Sequence, residues 1–226
     1  CHILVSGEQK LINGISGVAY DGVLPGYYGY EAGQAAVGDI YDWFVNQLAP
    51  YDYACEAEER NCTLFDIMGE KASALKAGES GLIALDWWNG NRSMLNNSNL
   101  SGMILGMTLR TTPEEIYRAL IEATAFGTKK IIDEIEAAGV PIQHIYACGG
   151  LSRKSKLVMQ VFSDVLGHKI MVSNIAQTTA YGAAMFGAVS AGREAGGFNS
   201  INEATCALIA PIKEVYVPNM ENHAVY

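Results

Sequence analysis

The sequence predicts an α/β layer fold with a mixed sheet flanked by helices. Two observations carry that prediction. Short apolar strands and glycine-rich turns fill the first third of the chain, and from about residue 113 helical and strand patterns alternate. A third observation bounds it. The chain has 226 residues, half of them apolar and 17% charged, which suffices for one large domain or two small ones with a real core.

The elements follow in order. CHILVSGEQKLING reads as two short strands around Gly7-Glu8-Gln9-Lys10. The strand pattern starts at residue 1 with no Met or lead-in, so the chain is expected to be cut from something longer. GISGVAYDGVLPGYYGYEAGQ, rich in Gly and Tyr, suits strand and loop. From about 33 to 48 the pattern turns helical, with Ala36, Ile40, Phe44 and Leu48 recurring at about four-residue spacing and Trp43 alongside. A polar stretch over 51–62 leads to a helix near 63–77. GLIALDWWNGNRS reads as a buried strand running into a loop, with Trp87 and Trp88 on opposite faces and Asn89-Gly90 as a turn.

The clearest helix runs from 113 to about 138. Thr112 is its N-cap, Pro113 takes the first helical position, and Glu115 completes a capping box. Ile116, Leu120, Ala123, Gly127 and Ile131 mark one face, and Gly139 followed by Val140-Pro141 ends the helix. A strand (about 143–148), a helix (about 152–166), a strand (about 168–172) and a helix (about 179–191) follow. A short helix near 201–208 then gives way to loose chain.

The net charge of -9 argues against nucleic acid and anionic membranes as partners, and no apolar run approaches the roughly 20 residues that span a bilayer. The five cysteines form no C-x-x-C pair and read as reduced, buried thiols of a cytoplasmic protein. The four histidines are scattered, so no zinc or other metal site is expected. Sequons at Asn61, Asn91, Asn96 and Asn99 read as chance.

The candidate chemistry lies at glycines. Gly149-Gly150 joins an apolar strand to a helix. Glycine lets a ligand approach the backbone, and a helix N-terminus favours an anion. Such pairs are also common in plain α/β folds. Arg153, Lys154 and Lys156 fall in what reads as the first helical turn, where cations are mildly unfavourable, and this favours an anionic ligand there. Glu31, Asp39 and Asp42 form an acidic set around the 33–48 helix. Dipole complementarity would explain them, and so would polar contacts to a hydroxylated ligand or a nucleotide. The small residues of TTAYGAAMFGAVSAG read as tight packing of a helix on a sheet. There is no P-loop, no G-x-G-x-x-G after a strand and no G-x-S-x-G elbow.

Together, LPGYYGYEAGQAAVGDIYDWF, LIALDWWNGNRS, YACGGLSRKSKLVMQVFSDVLG and AYGAAMFGAVSAG resemble the C-terminal half of the FGGY carbohydrate kinases, from residue 1 to about 210. The resemblance implies a ribonuclease-H-like, actin-type ATPase domain, with residues 1–226 as the nucleotide-binding domain and a sugar-binding N-terminal domain outside the chain. It implies Mg-ATP as phosphoryl donor and ribulose, or a related pentulose or polyol, as acceptor at its 5-hydroxyl. A homodimer is also implied. Gly149 and Gly150 would lie against the ribose and α-phosphate of ATP. Lys154 falls near the adenine, where relatives often carry Asn, and Gly38 and Asp42 match a helix that touches the nucleotide from the other side. Glu31 would face the sugar hydroxyls. The catalytic Asp and a Gly-Thr-Ser phosphate loop would lie before residue 1, so no catalytic residue is expected in this chain. The alternatives are a module that holds ATP or a partner chain without chemistry, and an enzyme of another α/β fold.

Overall fold

The computed structural model describes residues 2–15 and 17–226. Its first sheet is antiparallel, with β3 (Tyr28–Ala32) between β1 (His2–Ser6) and β2 (Gly17–Tyr20). The expected hairpin around Gly7–Lys10 does not form. Residues 7–14 cross the sheet end instead, where the Tyr30 hydroxyl accepts from Lys10 N at 2.7 Å and donates to Glu8 O at 2.8 Å, and Ile12 is buried. The strand reading of Cys1 lies outside the described residues.

Helix α1 (Gly38–Leu48) starts five residues later than the spacing suggested. Residues 33–37 are held out of the helix by other elements. Gly33 N donates to Ser93 Oγ at 2.8 Å, and the Gln34 side chain reaches across to the middle of the chain. The polar stretch that followed is a helix, α2 (Tyr51–Glu59), which buries little beyond Ala57 and leans on α3 (Leu64–Ser73). A Thr63–Asp66 capping box starts α3. Strand β4 (Ile83–Leu85) pairs with β5 (Met103–Leu105), which the sequence did not reveal. Trp87 and Trp88 lie beyond β4 in the loop, not on opposite faces of a strand. Trp88 packs on Trp43 with ring centroids 4.8 Å apart, and Gly102 leaves room for its indole.

The long helix α4 (Pro113–Ala137) is the spine. Glu115 Oε2 accepts from Thr112 N at 2.8 Å at its start, and Gly139 at φ +83° ends it. One stretch of α4 joins α1, α3, β4 and the helix over Lys156–Leu166 in the larger core, through Leu120, Ile121 and Ala125. Its last turns carry Ile131 and Ile135 into a second core beneath β3, with Tyr30 and Ala32.

The second half is a mixed sheet, β6 (Ile145–Ala147) parallel to β7 (Ile170–Ser173) and β7 antiparallel to β8 (Ile212–Tyr216). Between β6 and β7 the single expected helix is two, α5 (Gly150–Lys154) and α6 (Lys156–Leu166), because Ser155 turns extended and caps α6 by accepting from Val158 N. Then come α7 (Thr178–Ala191), a 3-10 turn at 193–195, and α8 (Ile201–Ala207). The segment expected to be loose is β8 followed by α9 (Met220–Val225), which docks on α6.

Two readings are corrected here. Helix α7 has no buried residue and touches mainly α8 and the 3-10 turn, so its small residues do not pack it on this chain's sheets. The cysteines are free but none of those described is buried: Cys55 and Cys62 are half-buried, Cys148 and Cys206 exposed. Among the described residues no helix is long and apolar enough to cross a membrane.

Candidate functional site

The glycine turn has the geometry that the sequence suggested, for a different reason. Gly149 takes φ +93° and ψ -179°, a conformation that side chains strain to reach, and neither Gly149 nor Gly150 has any atom within 4 Å of where a Cβ would stand. Ser152, buried beneath, donates its hydroxyl to Gly149 O at 3.0 Å and pins the turn from below. The turn thus offers bare backbone to an open face.

Two of the three cations do not sit at that helix start, while Lys156 opens the next helix, α6. Because the helix breaks at Ser155, Arg153 and Lys154 sit in the last turn of α5, the end that favours positive charge. Arg153 Nη1 donates to Asn174 O at 2.6 Å and Ser173 O at 3.3 Å, tying α5 to the end of β7. Lys156 Nζ stands 3.8 Å from Glu214. Arg153 and Lys156 are accounted for within the fold, and Lys154 is exposed beside the turn. A five-residue helix also brings little dipole, so the case for an anion rests on backbone geometry.

The second group hangs on β3 and α1. Residues of β3 alternate, so Tyr30 and Ala32 enter the core and Glu31 points outward, where Arg92 Nη2 donates to Glu31 Oε1 at 2.7 Å. Gly38 opens α1 with empty space where a Cβ would be, and Asp42, exposed one turn on, accepts from Asn46 at 2.9 Å. Asp39, in the first turn and exposed, fits the dipole reading. Of the aromatics near this segment, Tyr30 is core and Tyr27 and Trp43 are rim.

Behind these residues lies a buried polar network that the sequence reading missed. Gln34 Nε2 donates to Asp86 Oδ2 at 2.5 Å and to Thr124 O at 2.8 Å, while its Oε1 accepts from Thr128 at 2.7 Å and meets His2 Nε2 at 3.3 Å. Tyr41 bonds Thr124 beside it. Burial pushes the Asp86 carboxyl up. Burial pushes the His2 imidazole down. Gln34 stands three residues after Glu31 and four before Gly38, so this network fixes both against α4. Its legible trace was the pair of segments EAGQ and DWWNGNRS, whose polar residues had no assigned partners.

The two groups occupy different parts of the fold, one on β3, α1 and α4 and the other on β6, α5 and α6. Among the described residues no hydrogen bond or ion pair of Asp42 or Lys154 joins them. An open groove of about 670 Å³ between the end of α3, α6 and α9 includes Lys156 but none of Gly149, Gly150, Lys154, Gly38, Asp42 or Glu31.

An α/β domain with a mixed sheet, an open glycine turn and a long central helix agrees with the actin-type fold that the family resemblance implies. Solved structures bear out that fold. The xylulose kinase from Rhodospirillum rubrum superposes with a TM-score of 0.79 at 24% identity, covering 99% of this chain and 42% of that one. The Plasmodium falciparum glycerol kinase with ADP gives 0.71 at 22%, with the same coverage. The chain belongs to the FGGY family of carbohydrate kinases, matching its C-terminal domain over residues 1–191. It is 50% identical over all 226 residues to a ribulokinase of Anoxybacillus flavithermus and 51% identical to one of Halalkalibacterium halodurans. It spans about 40% of the length of these relatives.

Proposed function

We propose that this chain is the nucleotide-binding C-terminal domain of a cytoplasmic kinase that transfers the γ-phosphoryl group of ATP to the 5-hydroxyl of ribulose. The observation that carries the reading is identity at half of all positions, end to end, with ribulokinases of several bacteria. The geometry is consistent with it. Gly149 and Gly150 present bare backbone for the ribose and α-phosphate, with exposed Lys154 toward the adenine. Gly38 and Asp42 open α1 for contacts from the other side, and Glu31 faces outward for sugar hydroxyls.

In this reading the ribulose 5-oxygen attacks the γ-phosphorus in line. The new O–P bond forms as the bond to the β-γ bridging oxygen breaks, ADP leaves, and a carboxylate of the N-terminal domain takes the hydroxyl proton. The residues of this chain bind and orient; none takes the proton. The N-terminal domain would cover α7, whose Phe186 is 56% exposed, and closure of the two domains would exclude water. Among the described residues no three His, Cys, Asp or Glu side chains gather to hold a metal. They do not form a Mg²⁺ cage, so the ion of Mg-ATP is proposed to ride on the phosphates with its protein ligands elsewhere. The longer protein would be a homodimer.

Calorimetric titration of Mg-ATP, then AMP, into the 226-residue chain tests the nucleotide assignment. Both are expected to bind. Gly150→Asp, which meets no steric clash in the fold, is expected to keep its melting midpoint while losing at least about tenfold in affinity, because a carboxylate would face the phosphate. Undiminished binding by the variant overturns the placement of the site. Turnover by the full-length gene product decides the substrate, and a preference for another pentulose or a polyol would replace ribulose.

A further inference from the structure

We propose that Arg92 is a positioning residue for sugar recognition, its guanidinium fixing the Glu31 carboxylate at the outer face of β3. The inference rests on the placement of Glu31 at the sugar proposed above.

Three features of the structure carry it. First, the pair is built across 61 residues of sequence and closes at 2.7 Å, although both side chains are about half exposed (50% and 47%). A pair so exposed contributes little to stability, so folding gives little reason for its exact register. Second, Arg92 is held on both sides. Asn91 exchanges two backbone hydrogen bonds with Asn97, each 2.9 Å, and Ser93 is buried with its hydroxyl accepting from Gly33 N. The arginine stem therefore leaves a loop whose position relative to β3 is fixed. Third, the guanidinium packs on the backbone of Gly33 at ordinary contact distance. A Cβ there would lie 3.4 Å from Arg92 Nη1 and 3.5 Å from Cδ, so the guanidinium lies against bare backbone two residues from its carboxylate partner.

The surroundings suit a hydroxylated ligand. Across the sheet Glu31 faces Gly17 on one side and Ile3 on the other, and Val23 covers Gly29, the next residue of β3 on that face. A planar guanidinium holds a carboxylate in one orientation, which a lysine ammonium does not. A carboxylate so oriented discriminates between hydroxyl configurations better than one free to rotate, and pre-orientation removes an ordering cost from binding.

The test is kinetic, on the full-length gene product, with Arg92→Gln, Arg92→Lys, Glu31→Gln and the Arg92→Gln/Glu31→Gln double variant. Arg92→Gln is expected to raise the KM for ribulose roughly tenfold, the cost of one charge-assisted hydrogen bond, with the KM for ATP unchanged. Glu31→Gln should raise it at least as much, the double variant should be no worse than Glu31→Gln alone, and Arg92→Lys should fall between wild type and Arg92→Gln. Thermal midpoints within about 3 °C of wild type are expected. If Glu31→Gln raises the ribulose KM but Arg92→Gln does not, the proposal is overturned while the placement of Glu31 stands. Effects that multiply in the double variant, or an equal rise in the KM for ATP, overturn it as well. An unchanged ribulose KM in Glu31→Gln removes Glu31 from the sugar site, and the role of Arg92 falls with it.

Discussion

Gly127→Ala is expected to destabilise the chain by about 2–4 kcal/mol, against the sign of helix propensity. Gly127 lies inside α4, where alanine ordinarily stabilises by about 0.5–1 kcal/mol. Here a Cβ would be driven into the Asp86 carboxylate and the Gln34 amide, both held by the buried network. Neither can withdraw cheaply. Gln34 is bonded at both ends of its amide, and displacing it from Asp86 leaves a buried carboxylate without its donor. Overpacking and a broken network therefore outweigh the propensity gain. Urea denaturation checks this, since a fall in midpoint at unchanged slope is the expected result. A variant as stable as wild type would mean that the Gln34–Asp86 bond is dispensable. A milder second variant, Gln34→Ala, should lose part of the same stability without any clash.

The second large effect is expected at Asp164. This carboxylate is 1% exposed and accepts three hydrogen bonds: from Gln160 Nε2 at 2.7 Å, Asn219 N at 2.8 Å and Asn222 Nδ2 at 2.8 Å. Its main-chain carbonyl accepts from His223 Nδ1 at 2.8 Å. Three hydrogen bonds from the last helix and its cap, those of Asn219, Asn222 and His223, thus end on one residue of α6. Gly167, at φ +69°, lets the His223 ring lie close. Asp164→Ala should cost about 3 kcal/mol, because the donors of Asn219 and Asn222 lose a buried charged acceptor. Asp164→Asn, which keeps one acceptor oxygen, should cost less. The second anchor of α9 is the buried Arg118–Glu122 pair, which shares the Tyr226 hydroxyl at 2.7 and 2.8 Å. If Asp164→Ala changes stability by less than about 0.5 kcal/mol, that anchor alone holds the tail.

What could be read in the sequence divides along physical lines. Helix α4 was legible to within a residue because its signals are local: Thr112, Pro113 and Glu115 at one end, Gly139 at the other, and a regular apolar stripe between. Helix α2 was not, because Ala57 is its only fully buried residue and its support comes from α3, as with Lys71 paired to Glu56 at 2.9 Å. Strand β8 and helix α9 were unreadable for the same reason, since Asp164 and β7 hold them from far along the chain. The break at Ser155 reversed the meaning of Arg153 and Lys154. Charges read as misplaced at one helix start became well placed at another helix end. For the candidate site, the glycine turn and the outward Glu31 were legible from pattern and family resemblance. Arg92, Gln34 and Asp86 were visible only as letters in quoted segments, because sequence spacing does not say which residues 52 or 61 positions apart will meet.

The bareness of α7 bears on how the molecule breathes. A helix with no fully buried residue has little packing to lose when it opens, so its amides should trade hydrogen for deuterium by local fraying, decades faster than global unfolding allows. The amides around Leu120 and Ile121 in α4, fully enclosed, should exchange only when the whole chain unfolds. One polypeptide would then show two clocks in a single labelling experiment. The fast one should slow to the pace of the core in the full-length protein if, as proposed, the N-terminal domain closes over α7.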